Sequence, residues 1–324
     1  MKEVSIVVPR NALLAAVADA QYIFTMVNNF LIQSGKPAVF DIKLVGLTKE
    51  VSLNEGTYQI HTDALIKDVD KTDLIIIPSM SGDMLTGMVL NLDFNPWFIS
   101  QHKKGAEIAS MCVGAFLLAS SGLLKGKNCA THWLYTNEFR SFFPDVKLVD
   151  DKIITDQNGL YSSGGSSSYW NLLLYLVEKY TDRETAILAS KYFALDIGRN
   201  SQSAFTIFHA QKDHDDEGIK TIQEYIEQNF KDKISIGLIS QMFNIAGRSL
   251  ERRFKKATGN TVIEYIQRVR IEAAKKQFEI GRKTVNEVMY EVGYTDSNTF
   301  RRVFKEISSI SPVEYRSKYS KTGS

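Results

Sequence analysis

Cysteine, proline and histidine are all scarce in this sequence of 324 residues, which contains 2, 6 and 5 of them respectively. Two cysteines, Cys112 and Cys129, are too few for a disulfide framework. No His/Cys cluster accompanies them, so the sequence predicts neither a metal site nor a cofactor. Unpaired thiols fit a reducing compartment, and the cytoplasm is the location that we expect.

Long apolar runs are also missing. No window of about 18 uncharged apolar residues occurs, so the sequence predicts no membrane-spanning helix and no membrane partner. The opening residues MKEVSIVVPRN reach Pro9 and Arg10 before a signal-like apolar segment can form. We therefore expect no secretion signal.

The small net charge of +2 conceals an uneven distribution. Residues 219–324 carry 20 Lys and Arg against 12 Asp and Glu, whereas residues 1–218 carry 19 against 25. A basic C-terminal third attached to an acidic remainder is typical of a polyanion-binding module. A solvated basic face gives the same pattern, so charge alone does not assign a function.

Apolar runs alternate with helical patterns through the first part of the chain. The clearest runs are VSIVV (4–8), FDIKLVGL (40–47), DLIIIPS (73–79) and EIASM (107–111). Strands of this kind, alternating with helices, predict a doubly wound, flavodoxin-like α/β sheet domain over residues 1–210. The polar segment QKDHDDEG (211–218) predicts a linker, and the patterns beyond it predict an all-α domain over residues 219–324.

The all-α domain contains an internal repeat, residues 234–259 and 284–309. Apolar positions match at an offset of 49 in the first helix of each copy and at 50 in the second, so the second turn has one extra residue. Each copy therefore predicts a helix-turn-helix. An apolar pair four residues apart is expected to anchor each second helix. The pairs are Leu250 with Phe254 and Phe300 with Phe304.

The opposite faces of these second helices are free to enter the major groove of double-stranded DNA. The expected base-edge contacts, or contacts to nearby phosphate, are Arg248, Arg252, Ser297, Asn298 and Arg301. The residues expected to touch phosphate are Lys255, Lys256, Arg302 and Lys305, and Ser249 and Glu251 share the first of the two faces. A predicted helix over residues 261–279 would hold the copies rigidly apart, so that they read successive major grooves about 34 Å apart.

Three stretches of the all-α domain carry a specific signature: RSLERRFK (248–255), YIQRVR (265–270) and VGYTD (292–296) through SPVEYR (311–316). They closely resemble the AraC/XylS family of DNA-binding domains, which implies a transcription regulator. Two positions depart from the family. Ala246-Gly247 replaces the usual capping Ser and Pro, so the first recognition helix is expected to start less firmly. Ser309 replaces a usual Gly, where a left-handed backbone would cost about 1 kcal/mol.

Cys112 ends the buried strand EIASM and precedes a helix of small residues, which is the shape of a nucleophile elbow. Further stretches continue the pattern: GAFLLA (114–119), GLLKGK (122–127), THW (131–133), SGG (163–165) and RNSQ (199–202). Together they resemble the class I glutamine amidotransferase-like superfamily, and especially PfpI-like domains fused to AraC-type DNA-binding domains. The resemblance implies an α/β domain that senses a small molecule or mediates dimerisation.

The residues that would activate the thiol are missing from their expected places. Val113 follows Cys112 where peptidase-like members have a His, and Tyr22 aligns with a glutamate of the family while Asp19 aligns with a glycine. A catalytic cysteine needs a neighbouring base or cation, so we predict no catalytic residue. His132 is expected to be a structural hydrogen-bonding residue rather than a base.

Cys112 then has two remaining roles: to line a small-molecule pocket at the carboxyl ends of the strands, or to fill a tight elbow as a small buried thiol. In the first role, the start of a helix would lower the pKa of Cys112 and make the thiol redox-responsive.

The segment SSGGSSS (162–168) has two alternative interpretations. It either offers backbone N–H groups to an anionic ligand or forms a plain turn before a helix. Cys129 is expected in the core. The candidate pocket residues are Cys112, Val113, Tyr22, Asp19, His132, Gly164 and Gly165.

The sequence as a whole predicts a DNA-binding transcription regulator. Its expected partners are double-stranded DNA, a small-molecule effector and a second copy of the chain in a homodimer, with RNA polymerase as a further candidate. The rival prediction is an amidase or hydratase-like enzyme that carries a DNA-binding domain, and a third is an N-terminal domain that only dimerises. A base or carboxylate within hydrogen-bond reach of the Cys112 sulfur would favour the enzyme.

Overall fold

The structure, a computed structural model, describes residues 1–149, 152–196, 208, 212 and 214–320. By packing, the chain divides into two units, Met1–Gln202 and Ser203–Ser324. The division lies ahead of the predicted linker at residues 211–218. The described part of that segment contacts the helical unit, since Lys212 forms an ion pair there. The RNSQ stretch and residues 211 and 213 lie outside the described residues.

The first unit is built around a seven-stranded sheet. The strands of this unit are β1 (Lys2–Val7), β2 (Phe40–Gly46), β3 (Glu50–Leu53), β4 (Tyr58–His61), β5 (Ala64–Leu65), β6 (Leu74–Ile77), β7 (Glu107–Ser110), β8 (Asn128–Cys129), β9 (Lys147–Leu148), β10 (Ile154–Gln157) and β11 (Leu160–Ser163). The order across the sheet is β10-β11-β7-β6-β1-β2-β5, and only β10 is antiparallel to its neighbour. The central parallel strands thus follow the flavodoxin-like order, which confirms the predicted fold class.

Two pairs of strands lie outside this sheet. The segment near residues 59–63 forms the separate hairpin β3–β4, and β8 pairs with β9 in a small sheet of its own. Both segments are too polar or too short to be buried on two faces, unlike β6, whose four residues are all buried. A turn at Asn158-Gly159 connects β10 to β11, with φ of 54° and 78°.

Helices cover the sheet of the first unit. They are α1 (Leu14–Gln33), α2 (Met84–Val89), α3 (Asn95–Lys103), α4 (Gly114–Ser120), α5 (Thr136–Phe142), α6 (Tyr169–Tyr180) and α7 (Arg183–Tyr192). The helix α1 buries Ala16, Val17, Ala20, Ile23 and Phe24, whose spacing of three and four residues forms one apolar face.

The second unit is helical throughout its described part. Its helices are α8 (Glu217–Asn229), α9 (Ile236–Met242), α10 (Gly247–Thr258), α11 (Val262–Ile280), α12 (Val285–Glu291), α13 (Ser297–Ser308) and α14 (Pro312–Tyr319). The turn 243–246 joins α9 to α10, and the turn 292–296 joins α12 to α13. The second turn is therefore one residue longer, as the change of offset in the repeat predicts.

Each helix-turn-helix has its own apolar core, and α11 contributes to both. Leu250 and Phe254 of α10 are fully buried with Val262 and Tyr265 of α11. Phe300 and Phe304 of α13 are fully buried in a second cluster with Ile271 and Phe278 of α11. Both apolar pairs anchor their helices as predicted. Among the described residues, no helix is long and apolar enough to cross a membrane.

The ends of the recognition helices α10 and α13 differ. Asp296 caps α13 by accepting a hydrogen bond from the N–H of Thr299, whereas Ala246 gives α10 no side-chain cap. At the other end, Gly259 closes α10 with a left-handed φ of 72°, and Ser309 closes α13 with a φ of 62°. Ser309 therefore adopts the backbone conformation that disfavours every residue with a side chain.

We expect Ser309→Gly to stabilise the helical unit by about 0.5–1 kcal/mol, because glycine adopts the left-handed conformation without a steric penalty. The matched variant Gly259→Ser should lower stability by a similar amount. Urea unfolding of the full chain, followed by helical circular dichroism, measures both changes. A loss of stability in Ser309→Gly would contradict the prediction.

Candidate ligand site and nucleic-acid interface

The backbone at Cys112 has the geometry of a nucleophile elbow. Cys112 has a φ of 56° between β7 and α4, a left-handed value that is strained for a residue with a side chain. A Cβ at Gly114 would lie 2.5 Å from the carbonyl oxygen of Pro78, so only glycine allows α4 to pack this closely on the end of β6. The predicted elbow is therefore present in its backbone.

Hydrogen bonds from three other segments hold the elbow. The N–H of Cys112 donates to Ser163 Oγ at 3.0 Å, and its carbonyl oxygen accepts from Thr131 Oγ1 at 3.1 Å. The Cys112 thiol itself interacts with the Ser79 side chain and the Val113 backbone N–H. Ser79 follows β6 and Ser163 ends β11, so the carboxyl ends of three neighbouring strands meet at this point.

Burial raises the pKa of the Cys112 thiol, against the opposing effects of Ser79 and the Val113 N–H. The side chain is only 3% exposed. The expectation that a helix start lowers this pKa is therefore wrong in direction. Desolvation of the thiolate outweighs the hydrogen bonds that the Ser79 side chain and the Val113 N–H form with the sulfur.

Asp19 is connected to the elbow through the side chain of Tyr169. Its carboxylate accepts a hydrogen bond from the Tyr169 hydroxyl at 2.6 Å. The pKa of Tyr169 is raised, first by burial, then by Asp19 and in small part by Cys112. Sequence reasoning placed Asp19 in the site but missed Tyr169, because a tyrosine at the start of a predicted helix carries no signal of its own.

Tyr22 is not part of the thiol's surroundings in the way predicted. Tyr22 is 47% exposed on α1, shares a hydrogen bond of 2.8 Å with the Tyr192 hydroxyl and packs edge-on against Phe193. It lies on the solvent-facing side of α1 because the apolar face of that helix falls at other positions. Among the described residues it has no recorded contact with Cys112.

His132 caps a short helical turn instead of serving the thiol. Its Nδ1 accepts a hydrogen bond from the N–H of Leu134 at 3.1 Å, and its ring packs against Trp133 and Tyr135. Burial lowers the pKa of the imidazole, so the ring is neutral at pH 7 and can act as this acceptor. The structural role predicted for His132 agrees with these contacts.

The glycines before α6 do not form an open anion cradle. Gly164 and Gly165 are both buried. The N–H of Gly164 donates to the carbonyl of Ile153 at 2.8 Å, and the N–H of Ser168 donates to the carbonyl of Gly165. These groups are satisfied within the protein, so the plain-turn alternative is favoured.

Cys129 is fully buried, and burial raises its pKa to about 12.

A concave surface lies at the opposite ends of the strands. A cleft of about 330 Å³ is lined by charged and polar residues near the amino ends of β1 and β2. Its polar lining includes Glu3, Asp41, Lys43, Asp70 and Thr72.

Within the described residues, no cluster of His, Cys, Asp or Glu could hold a metal ion.

The DNA-facing candidates lie as predicted on the outer surfaces of α10 and α13. Ser249 and Ser297 are half-buried at the first turns of the two helices. The exposed candidates are Arg248, Glu251, Arg252, Lys255 and Lys256 on α10, and Asn298, Arg301, Arg302 and Lys305 on α13. Each helix therefore buries its apolar pair and presents a polar face with a basic majority.

Arg253 is an exception on α10. Its guanidinium donates to both carboxylate oxygens of Asp216, at 2.9 and 2.6 Å, and lowers the pKa of that carboxyl. Asp216 also caps α8 by accepting from the N–H of Ile219. This pair fixes α10 to the start of α8. An aspartate before an apolar helix is a capping signal, but its arginine partner 37 residues away could not be found from sequence.

Comparisons with known proteins match both units. The model of the DJ-1/PfpI family matches residues 6–179, and a helix-turn-helix domain model matches residues 239–318. The HTH-type transcriptional regulator GbdR of Pseudomonas aeruginosa is 24% identical over 218 residues, which cover 67% of this chain and 59% of that one. The match thus spans less than two thirds of that relative.

Two solved structures resemble part of the chain. A protein from Vibrio parahaemolyticus, described as a candidate transcriptional regulator, is 23% identical with a TM-score of 0.53, covering 59% of this chain and 98% of that one. An AraC family transcriptional regulator from Pseudomonas putida is 14% identical with a TM-score of 0.50, covering 60% and 100%. At these identities the similarity establishes the fold alone.

The raised pKa of Cys112 predicts slow alkylation in the folded protein. We expect iodoacetamide to label Cys112 slowly at pH 7.5, because the buried thiol is protonated there, and faster as the pH rises and the thiolate forms. Cys129 serves as the internal reference, since its pKa is raised to about 12 and it should react later still. Peptide mass spectrometry separates the two sites. Rapid labelling of Cys112 at pH 7.5 would instead indicate a reactive, redox-responsive thiol.

Proposed function

Because the chain belongs to the DJ-1/PfpI family and also carries an AraC-type helix-turn-helix domain, we propose that it is a sequence-specific DNA-binding transcription regulator. The two resemblances predicted from the sequence are confirmed by these matches. GbdR and the similar Pseudomonas putida structure both carry names of transcriptional regulators. The proposal extends that activity to this chain, with double-stranded DNA as its partner and the cytoplasm as its location.

The observation that carries the proposal is the pair of recognition helices with free polar faces. Each is anchored by two fully buried apolar residues, and α11 joins both cores. A rigid body that presents two such helices can enter two successive major grooves. The basic excess of residues 219–324 supplies the attraction to phosphate. A contact with RNA polymerase is part of the proposal for a regulator of this class.

For the first unit we propose effector sensing at the elbow, together with dimerisation. The elbow brings Cys112, Ser79 and the Asp19–Tyr169 pair to the carboxyl ends of the strands, where ligands bind in sheets of this topology. The exposed side chains of Tyr22, Leu188 and Tyr192 on α1 and α7 offer a surface for a second copy of the chain.

The enzyme alternative lacks support at the thiol. The groups recorded at the Cys112 sulfur among the described residues are the Ser79 side chain and the Val113 N–H, and neither is a general base. The Nδ1 of His132 accepts the capping hydrogen bond from Leu134. We therefore propose that the elbow binds rather than catalyses.

Arg252→Ala should weaken binding to the preferred DNA by about 1–3 kcal/mol, because an arginine on a recognition helix pairs with guanine through two hydrogen bonds. The loss should be larger for the preferred sequence than for unrelated DNA. A competition gel shift with the full chain, on DNA selected from a random pool, measures both affinities. Equal affinity of variant and wild type would remove Arg252 from the base contacts.

Lys256→Ala is the matched comparison, since Lys256 is an exposed cation on the same helix that is expected to touch phosphate. It should weaken binding to all sequences alike and reduce the slope of log K against log salt by about one. A wild-type affinity that does not fall with salt would contradict the phosphate contacts.

An effector bound at the elbow should raise the melting temperature of the full chain. We expect a fraction of a pooled metabolite mixture to produce such a rise, and the rise to shrink in Asp19→Asn. Asp41→Asn, in the cleft at the opposite strand ends, is the matched control and should respond like the wild type. A rise that shrinks in Asp41→Asn but not in Asp19→Asn would indicate that the effector binds in that cleft instead.

A further inference from the structure

The two recognition helices present different chemistry at matched positions. Counted from the first residue of each helix, the second position holds Arg248 in α10 and Asn298 in α13. The fifth position holds Glu251 in α10 and Arg301 in α13. All four side chains are exposed.

These four side chains are available to a ligand. Within the part of the chain that the structure describes, no side-chain hydrogen bond or ion pair is recorded for any of them. By contrast, Arg302 at the sixth position of α13 donates to Glu306 at 2.9 Å. Arg253 of α10 is held by Asp216. The second and fifth positions of both helices are thus free, and they lie near the helix N-termini, where recognition helices contact base edges.

Base edges in the major groove distinguish such side chains. Arginine pairs with the O6 and N7 of guanine, asparagine with the N6 and N7 of adenine, and glutamate accepts from the N4 amino group of cytosine. The second and fifth positions are three residues apart, or about 4.5 Å along the helix axis. The base-pair step is about 3.4 Å, so the two side chains of one helix reach neighbouring base pairs.

We propose that the two helices read unlike half-sites, where a half-site is the set of base pairs contacted by one helix. In one half-site, Arg248 reads a guanine and Glu251 reads a cytosine. In the other, Asn298 reads an adenine and Arg301 reads a guanine. This inference rests on the proposed DNA-binding function and adds the bases that each helix selects.

Glu251 is the most discriminating of the four residues. A carboxylate on a DNA-facing surface is repelled by the phosphates, and it loses water of hydration when it enters the groove. An amino donor on a base compensates for both effects, whereas a carbonyl or N7 acceptor adds a further repulsion. A base pair that offers Glu251 only acceptors is therefore rejected, which gives selection against the wrong sequence.

The test is selection of bound DNA from a random pool with the full chain, its Glu251→Gln variant and its Asn298→Arg variant. The wild type should enrich two unlike half-sites of the stated composition. In Glu251→Gln the preference at one base pair should change from C·G to A·T, by about tenfold, because glutamine pairs with adenine. In Asn298→Arg the preference at one base pair of the other half-site should change from A·T to G·C.

The matched control is Glu224→Gln, which removes one negative charge from the exposed surface of α8. It should leave every base preference unchanged, and thermal unfolding should give wild-type stability for all three variants. Two identical half-sites, or unchanged base preferences in both Glu251→Gln and Asn298→Arg, would overturn this proposal. A wild-type chain that enriches no sequence at all would overturn the proposed DNA-binding function itself.

Discussion

The division of each recognition helix into a buried apolar pair and an exposed polar face is the constraint on which the helical unit depends. Phe254 and Phe304 are fully buried against residues of the shared helix α11, so neither recognition helix can rotate without exposing an aromatic ring. Burial of such a ring is worth about 1.5–3 kcal/mol. The same packing that stabilises the unit therefore fixes which side chains face outwards, and with them the chemistry of the exposed surface.

The elbow of the first unit has the backbone geometry of a nucleophile without a reactive thiolate. The left-handed Cys112 and the close approach of Gly114 to Pro78 hold a thiol at the carboxyl ends of the strands. Reactivity needs a thiolate as well, and its formation depends on solvation and on neighbouring charges. Here burial raises the pKa, and the recorded neighbours of the thiol, Ser79 and the N–H of Val113, carry no charge. A strained backbone that presents a protonated side chain suits recognition better than nucleophilic attack.

Errors in the sequence interpretation have physical causes at particular residues. Tyr22 was assigned to the pocket by its alignment with a family glutamate, yet its hydroxyl pairs with Tyr192 on the outer side of α1. The pKa of Cys112 was expected to fall because a helix follows it, but burial by distant segments has the larger effect. Of the two alternatives left open for residues 162–168, the anion cradle is not favoured, because the N–H of Gly164 donates to Ile153. Each of these three outcomes depends on contacts between segments that are far apart in the chain.

Features that depend on neighbouring residues were determined by the sequence alone. The period of the apolar residues determined the buried strands and the amphipathic helices. The offset between the repeats determined the longer second turn at residues 292–296, and Ser309 at a helix end indicated its left-handed backbone. Only the tertiary structure decided the pairing of Asp19 with Tyr169, that of Arg253 with Asp216, and the protonation of Cys112. Local patterns reflect short-range sterics and periodic burial, whereas solvation and hydrogen-bond partners depend on which distant segments meet in the folded chain.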